Sequence, residues 1–547
     1  SARARSLAPP MAAAPPPTGA LPPVESVHQP VGAEPPEDKP ADAGKRNIQP
    51  RADVSFPPEV VADVLNVLSI SLSTLADAPG VALSPFLVDG EVEQVALQVS
   101  VLAPGFAIDG PNVQEVMVPV SGEAEPVDFM LRALPGPEGD KTSTLRVRFR
   151  YQGKFVGQVL VQTVVKQAAA RRGAATVEPP TPAVLVLTDS PAPDLLIEVN
   201  QDDDSPGDFH VYVQSNLPGH RYYQKEAGEL KLGAGQTAAT YTAALFESIQ
   251  MMDHETAEMD LAGIGNRMWD KLPQAFRDEY WSLLHDNPAA RSVQIITDEA
   301  YIPWELLKPY KLESGRRVDA PFWGVSFAIG RWDPARPLPQ PLTVKNGYVI
   351  VPDYPDPRMK LRYAQREIQA LQEICGAQAG GRSRKEVIDL LRKGGMQLIH
   401  FACHGKYNGE NPDLSELEME DRPLNATTIA AAAAGVAADR PFVFLNACEV
   451  GKEGAALTQL GGWAETFCAN GFSGFVGPLW EVDDEVAYEA SVLFYRSLVE
   501  GATLGEALQR VRRQWSECED ELRFSPTWLA YSLHSDPMLK LAWPGAR

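Results

Sequence analysis

Two apolar segments end in residues that could act together as a nucleophile and a base. QLIHFACHG (397–405) ends at His404 and Gly405, and FVFLNACEVG (442–451) carries Cys448. A thiol near its ordinary pKa is only a few per cent thiolate at neutral pH. A neighbouring imidazole can take its proton, and the thiolate then attacks a carbonyl carbon. The pair therefore predicts covalent catalysis, with Cys448 as the nucleophile and His404 as its base.

The elements that carry these residues explain how they could meet. Both segments are typical of buried strands in a parallel sheet, where ligand sites gather at the carboxyl ends of the strands. Cys448 follows His404 by 44 residues, which is enough for the crossover that parallel neighbours need. The glycine after His404 allows its backbone N–H to approach a substrate closely. We therefore expect the N–H groups of Gly405 and Cys448 to form an oxyanion hole.

The surrounding sequence shows the same alternation of strands and helices. Further strands are predicted in the apolar runs VLVL (184–187), LLIEV (195–199), FHVYV (209–213), VQIIT (293–297), GYVIVP (347–352) and GFVGPLW (474–480). Helices are predicted over 237–285, 361–374, 384–394 and 487–501. Continuous apolar strands that alternate with amphipathic helices indicate an α/β sandwich on a largely parallel sheet.

The region from about residue 80 to 166 has a period of two instead. Apolar residues alternate with polar ones in EVEQVALQVSVL (91–102) and in TLRVRFRYQGKFVGQVLVQTVV (144–165), where Gln152-Gly153 predicts the turn of a hairpin. Several such strands separated by Pro/Gly-rich turns indicate a small β-sandwich. The region contains no Cys or His, so a docking module and a passive spacer are both open. The segment 59–76 has mixed helical and strand character and is left undecided.

Composition narrows the functional classes. The 547 residues carry 72 acidic and 49 basic side chains, a formal charge of −23 that repels phosphate backbones and disfavours nucleic-acid binding. Five widely spaced cysteines do not form a disulfide framework or a zinc motif, so we expect a reducing, cytoplasmic location. The chain lacks an apolar run of 18 residues, and its Pro-interrupted start is not typical of a signal peptide, so a membrane partner is not expected.

Several motifs resemble the CHAT family of caspase-like peptidases, relatives of caspases, gingipains and separases. They are QIITDEAYIPWELL (294–307), LRYAQREIQALQEI (361–374), IHFACHG (399–405), FLNACEVG (444–451), FCANGFSGFVGPLWEVDDEVAYEASVLFYRSLVEG (467–501) and GEALQRVRRQW (505–515). The likeness covers roughly residues 180–541 in order. The family's catalytic dyad falls on His404 and Cys448. The resemblance implies a caspase-like α/β sandwich, with a pseudo-subunit over 184–340 and a catalytic subunit over 341–547.

The segments before this region complete the expected domain organisation. Residues 1–57 are rich in Pro and Ala and are expected to be a disordered tail, because they cannot bury enough apolar surface to fold. Residues 58–168 are expected to form the β-rich interaction module, and 169–183 a linker.

An acidic cluster after Trp480 suggests a specificity. Glu481, Asp483 and Asp484 have two open interpretations, a solvated loop or a substrate pocket. Similarity to separase-like segments implies that an acidic side chain lines the pocket for the residue before the scissile bond. The matching register places that role on Asp484, with Asp483 as the alternate. A carboxylate in a partly dry pocket prefers arginine, whose planar fork it can bind in a bidentate way.

The sequence thus predicts a cysteine endopeptidase that needs no metal and no organic cofactor. The resemblance implies a regulated effector of bacterial defence or cell death that cleaves a dedicated protein substrate. Because the tail and the β-module precede the peptidase, and an unregulated endopeptidase would be hazardous, we also expect an activating or inhibiting partner that acts through the β-module. Two rivals stay open. One is a pseudoprotease scaffold of the same fold, and the other is acyl transfer or hydrolysis of a non-protein amide. His400 is expected to be a structural strand histidine, and the other four cysteines buried or incidental.

Overall fold

The computed structural model describes residues 45–134, 141–166, 191–202, 205–252, 256–299, 301–334, 336, 339, 341–406, 415–433, 435–436, 438–449, 459–519 and 522–544. The predicted tail over 1–44, the linker 169–183 and the strand VLVL lie outside these residues. Among the described residues, none of the helices combines the length and the apolar character that crossing a membrane requires.

The first part of the described chain is all β. Its strands are β1 (Lys45–Ile48), β2 (Arg51–Ser55), β3 (Glu59–Val61), β4 (Leu65–Ser73), β5 (Val81–Ala82), β6 (Phe86–Asp89), β7 (Gln94–Leu102), β8 (Phe106–Ile108), β9 (Val113–Pro119), β10 (Val127–Ala133), β11 (Lys141–Tyr151) and β12 (Lys154–Lys166). They form sheets in the orders β5-β2-β4-β10-β8 and β3-β12-β11-β7-β9, and β1 pairs with β6. Apolar side chains from both five-stranded sheets share one core.

This β-module confirms the predicted β-rich region and corrects one of its boundaries. The tail was expected to extend to residue 57, but β1 and β2 already belong to the module, and buried Ile48 and Val54 join its core. The undecided segment 59–76 contains β3 and β4. The predicted hairpin is β11–β12, with positive φ at both Gln152 (48°) and Gly153 (79°). Two positive φ values are what a two-residue hairpin turn requires.

The second part combines strands and helices. Its strands are β13 (Leu195–Gln201), β14 (Asp208–Ser215), β15 (Tyr222–Lys231), β16 (Ser292–Thr297), β17 (Tyr310–Glu313), β18 (Arg316–Asp319), β19 (Ala328–Trp332), β20 (Leu342–Thr343), β21 (Gly347–Ile350), β22 (Gln378–Ala379), β23 (Leu398–Lys406), β24 (Glu416–Leu417), β25 (Leu424–Asn425), β26 (Phe442–Glu449), β27 (Gly474–Pro478), β28 (Tyr531–His534) and β29 (Leu541–Ala542).

The helices of the second part surround these strands. They are α1 (Ala238–Gln250), α2 (Ala257–Lys271), α3 (Gln274–Asp286), α4 (Trp323–Ser326), α5 (Ala364–Cys375), α6 (Arg384–Lys393), α7 (Ala426–Ala433), α8 (Gln459–Ala469), α9 (Asp484–Val499), α10 (Leu504–Glu517) and α11 (Thr527–Ala530), with 3-10 turns at Trp304–Leu306 and Pro357–Met359. Local sequence determines where several of these helices begin and end. Ser383 and Glu386 form a capping box at the start of α6, and α5 ends at Gly376 in the left-handed region.

One large sheet carries the second part, with the path β15-β14-β13-β16-β19-β28-β27-β26-β23-β21-β22. The strands from β21 to β27 along this path are parallel, as are those from β28 to β13, and the two sets meet in the antiparallel pair β27–β28. The two sets therefore point their carboxyl ends to opposite edges of the sheet. The sheet and one apolar core extend across residue 340, so the two expected subunits fold as a single body.

The β-module is joined to this sheet through buried charges. Arg148 and Arg150 of β11 both form ion pairs with Glu198 of β13, and Arg148 also donates to Oδ1 of Asn200 at 2.5 Å. All four side chains are at most 5% exposed. Charges buried this deeply are tolerated only when paired. These buried contacts therefore fix the position of the β-module against the α/β part.

Candidate active site

His404 and Cys448 lie opposite each other at the ends of two neighbouring strands. β23 and β26 are parallel, and their register pairs the Cα atom of His404 with that of Cys448. The structure thus brings together the two residues that the sequence singled out. The side chain of Cys448 and residues 450–458 lie outside the described residues.

A backbone carbonyl orients the imidazole of His404. Nε2 lies 2.6 Å from the carbonyl oxygen of Met359, and the residue is only 6% exposed. Because a carbonyl oxygen can only accept, Nε2 must carry a hydrogen. In the neutral ring Nδ1 then carries the lone pair. Nδ1 is therefore the nitrogen that can take a proton from a thiol.

Tyr354 fixes both the backbone and the ring of His404. Its hydroxyl accepts from the backbone N–H of His404 at 2.9 Å and donates to the carbonyl of Glu418 at 2.8 Å. Its ring centroid lies 4.9 Å from that of the imidazole. The role of Tyr354 was not predicted from the sequence. Its position two residues after the apolar run of β21, at the same rim as His404, was the available signal.

Gly405 is placed between two strands. It pairs with Glu449 of β26 on one side and with Leu417 of β24 on the other. The N–H and carbonyl of His404 bond to Tyr354 and to the N–H of Glu418. Successive residues of a strand direct their N–H groups to opposite sides, so the N–H of Gly405 points toward β26. An oxyanion hole at this N–H would face Cys448, and it requires the last pairing of β23 with β26 to open.

A buried polar network lies on the same face of β23 as His404. The carboxylate of Glu367 contacts Nε2 of His400 and accepts from Nδ2 of Asn446 at 2.8 Å. Tyr531 donates to Oδ1 of Asn446 at 2.7 Å, and Nδ1 of His400 lies 3.2 Å from the hydroxyl of Tyr495. The network ties α5 to β23 and β26, four and two residues before His404 and Cys448.

This network gives His400 the structural place that the sequence predicted, but its partners were missed. His400 is completely buried, and Glu367 is 1% exposed. Glu367 lies on the apolar face of the predicted helix 361–374. A carboxylate at such a position is the signal that could have indicated a buried partner.

The three acidic residues Glu481, Asp483 and Asp484 have different surroundings in the structure. Asp483 caps the N-terminus of α9, where its side chain accepts from the N–H groups of Glu485 and Val486. Asp484 accepts from the backbone N–H of Tyr363 at 2.9 Å. Tyr363 follows Met359 on the segment that holds His404, so Asp484 is connected to the dyad region through one short stretch of chain. Glu481 is exposed.

Three of the other four cysteines are poor nucleophiles, because burial raises the pKa of their thiols. Burial raises the pKa of Cys375 to about 11 and that of Cys468 to about 12, and raises the pKa of Cys403 well above its ordinary value. A thiol with a raised pKa forms little thiolate at neutral pH. Cys403 alternates with His404 along β23 and therefore faces the other side of the sheet.

Comparisons with known proteins extend the likeness beyond the dyad. The sequence model of the CHAT domain matches residues 349–534. No curated protein matches the chain. Similar solved structures include the CARDB domain of a Pyrococcus furiosus protein in complex with di-metal ions, at 9% identity and a TM-score of 0.16, which covers 25% of this chain and 100% of that chain.

Two further structures have similarly low scores. A protein described only as a protease has 10% identity and a TM-score of 0.33, covering 49% of this chain and 68% of its own. A FixG-related protein from Vibrio parahaemolyticus has 12% identity and a TM-score of 0.15, covering 22% and 97%. The family match, which contains both His404 and Cys448, is what identifies the region. Residues 349–534 therefore match the model of the CHAT domain, a caspase-like family.

Proposed function

We propose that this chain is a cysteine endopeptidase that uses Cys448 as its nucleophile and His404 as its general base. The observation that carries the proposal is the register that pairs His404 with Cys448, together with the Met359 carbonyl that leaves Nδ1 of His404 as the proton acceptor. The match of residues 349–534 to the CHAT domain model supports the same reading.

The chemistry follows from these positions. Nδ1 of His404 takes the proton of the Cys448 thiol, and the thiolate forms a C–S bond to the scissile carbonyl carbon. The peptide C–N bond then breaks, and the leaving amine takes the proton from the imidazolium. Water, deprotonated by His404, hydrolyses the thioester and releases the acid. The backbone N–H groups of Gly405 and Cys448 would stabilise the oxyanion once the end of the β23–β26 pairing opens.

Mapping of new protein termini tests the proposal. The full chain and its Cys448→Ala variant are incubated with lysate, or with proteins encoded next to this chain, and the new N-termini are sequenced. Cleavage by the full chain alone, at one or a few sites, is the expected result. A complete lack of cleavage under all conditions, together with stable binding of a partner, would instead favour the pseudoprotease scaffold.

Replacement of Tyr354 by phenylalanine should lower activity through the position of His404. The change removes a hydroxyl that both accepts from His404 and donates to Glu418, and a buried unsatisfied group costs about 1–3 kcal/mol. We expect kcat/KM to fall by roughly tenfold, from a shift in the imidazole, with a smaller loss of stability. Peptide hydrolysis and urea denaturation measure the two effects. Tyr310→Phe, a change of the same kind on the distant strand β17, serves as the control and should leave kcat/KM unchanged.

We further propose that Asp484 lines the pocket for the residue before the scissile bond. Its carboxylate is half-buried and accepts a backbone N–H from Tyr363, four residues after the residue that holds His404. Asp483 serves as a helix cap, which leaves Asp484 as the better candidate of the two. A basic residue, arginine above all, would then be preferred at the P1 position of the substrate.

Asp484→Asn tests this specificity. Asparagine keeps an oxygen that can accept from Tyr363 but removes the charge, so kcat/KM for an arginine substrate should fall by roughly one to three powers of ten. Alkylation of Cys448 by a small reagent should be almost unchanged. Asp483→Asn is the matched control, because asparagine is an equally good N-cap. An apolar or acidic P1 preference that neither change alters would leave the cluster as a solvated loop.

The biological setting is part of the proposal. The family resemblance suggests a regulated effector of defence or cell death, and the β-module offers a surface for an activating or inhibiting protein partner. The closed β23–β26 pairing at Gly405 fits an enzyme with low basal activity. A partner that opens this pairing would then act as the activator.

A further inference from the structure

Glu367 is a buried carboxylate to which the proposed mechanism gives no role. It lies on α5, is 1% exposed, accepts from Nδ2 of Asn446 at 2.8 Å and contacts Nε2 of His400. In the described part of the chain, no lysine or arginine forms an ion pair with it. A carboxylate is tolerated at this depth only when its oxygens accept hydrogen bonds. Its contacts with β23 and β26 therefore hold it in place.

The directions of the hydrogen bonds around Glu367 follow from the groups involved. Since a carboxylate only accepts, Nδ2 of Asn446 must face it, and Oδ1 of Asn446 accepts from the hydroxyl of Tyr531 at 2.7 Å. Nε2 of His400 likewise carries a hydrogen toward the carboxylate. Glu367→Gln would place an NH₂ group against a donor of either Asn446 or His400, so one of the two contacts would be lost.

Three elements that position the dyad meet at Glu367. His400 precedes the dyad histidine by four residues on β23, and Asn446 precedes the dyad cysteine by two residues on β26. The third element is α5 itself, because the chain that leads into it carries Met359, whose carbonyl orients the imidazole of His404. A displacement of the carboxylate would therefore shift both strand ends, and the orienting carbonyl, relative to one another.

We propose that Glu367 is a positioning residue of the dyad, which fixes the spacing between the ends of β23 and β26 through His400 and Asn446. It acts through these two residues and does not touch the substrate. The inference rests on the proposed function, because this spacing matters only if His404 takes a proton from Cys448. Such a transfer needs heavy atoms within roughly 2.6–3.2 Å of each other, and a misplacement of about 1 Å can lower a rate by about 10²-fold.

Glu367→Gln should lower kcat by roughly ten- to a hundredfold and change KM by less than about twofold, because Glu367 does not contact the substrate. The pH profile of Cys448 alkylation by iodoacetamide gives a second readout that needs no substrate. An imidazolium close to the thiol favours the thiolate, so the midpoint of this profile should rise toward the ordinary thiol value of about 8.5 when the two groups move apart. Glu373→Gln, the same change at an exposed position of α5, is the matched control and should alter neither readout.

A complementary change should repair the defect. Asn446→Asp in the Glu367→Gln background moves the carboxylate from α5 to β26, so that an amide on one element again donates to a carboxylate on the other. The amide oxygen at position 367 can still accept from His400, and the carboxylate at position 446 can still accept from Tyr531. The double variant should recover kcat to within roughly fivefold of the wild-type value, since residues in contact are strongly coupled. Thermal unfolding checks that each variant is folded.

The alkylation profile also separates this inference from the proposed function. If His404→Ala leaves the midpoint unchanged, the dyad itself is wrong, and the inference is overturned with it. If His404→Ala raises the midpoint and a folded Glu367→Gln does not, the dyad stands and the inference alone is overturned. A loss of kcat that the double variant does not recover, or that Glu373→Gln shares, would also contradict it. If Glu367→Gln fails to fold, Glu367→Asp, which keeps the charge and shortens the side chain by one carbon, takes its place: a lower kcat and a raised midpoint support the inference, and wild-type values overturn it.

Discussion

Cys448→Ala is expected to abolish peptide-bond cleavage and to leave the fold intact. Without the thiol no covalent intermediate can form, and the rate should fall by at least about 10⁴-fold, as when a nucleophile is removed from other peptidases. His404→Ala should lower the rate nearly as far, because it removes the base. Cleavage of the substrate found by terminus mapping, followed by quantitative mass spectrometry, measures the loss. Thermal unfolding checks that both variants are folded.

Cys518→Ala provides the matched control, because Cys518 is a partly buried cysteine at the end of α10. It should cleave at the wild-type rate. Low-dose iodoacetamide should modify Cys448 first, because burial raises the pKa of Cys375, Cys403 and Cys468. Cleavage by the Cys448 variant at an undiminished rate, or earlier labelling of Cys403, would show that the nucleophile lies elsewhere.

The position of the dyad residues could be predicted because the signals are local. An apolar run that ends in His-Gly and another that ends in Asn-Ala-Cys each predict a buried strand with a polar end. The parallel-sheet rule then places both ends at one rim. The Gln152-Gly153 turn was equally local, since a glycine between two alternating runs predicts a hairpin. Both strand ends, at His404 and at Cys448, lie within the residues 349–534 that the CHAT model matches.

The partners of these residues could not be predicted, because they come from distant parts of the chain. His404 depends on Met359 and Tyr354, which precede it by 45 and 50 residues. Glu367 meets both His400 and Asn446 only after α5 packs on the sheet. Periodicity identifies which face of a strand or helix is apolar, but not which other element covers it. Long-range polar contacts therefore cannot be predicted from the periodicity of the sequence.

The arginines of β11 show this limit most clearly. In TLRVRFRY, the residues Arg146, Arg148 and Arg150 are the polar half of an alternating pattern that is typical of a strand with one solvated face. In the structure this face is buried against β13, and Arg148 and Arg150 are 0% and 1% exposed. The partner, Glu198, is itself hidden in the apolar run LLIEV. The sequence pattern around the arginines does not predict Glu198 as their partner, and the pattern around Glu198 does not predict the arginines.

This contact also affects how the β-module can be tested as a regulator. A chain that starts near residue 180 should show higher basal activity if the N-terminal region restrains the peptidase. The same truncation removes Arg148 and Arg150 and leaves Glu198 without them. Activity must therefore be compared alongside stability. Equal, high activity in the full and shortened chains, both fully folded, would remove the case for control by the N-terminal region.

Glu198→Ala is expected to destabilise the full chain by about 3–5 kcal/mol, because it leaves two buried guanidiniums without their carboxylate. Burial, followed by repulsion from a neighbouring arginine, lowers the pKa of Arg148 and of Arg150 to about 9, a sign of how far both are removed from water. Urea denaturation, followed by tryptophan fluorescence, measures the loss.

The size of the stability loss caused by Glu198→Ala distinguishes a buried ion cluster from an ordinary surface ion pair. Glu226→Ala, a change of an exposed residue on β15, is the matched control and should lower the free energy of unfolding by less than about 0.5 kcal/mol. Replacement of Arg148, Arg150 and Glu198 together by apolar residues of similar size should recover most of the stability, because no charge is then left unpaired. If Glu198→Ala lowers the free energy of unfolding by no more than the control does, water must reach both arginines. The β-module then cannot pack against β13 as described. A large loss that the triple change restores would instead establish that the module and the α/β part unfold as one unit, held together at β11 and β13 by these three side chains.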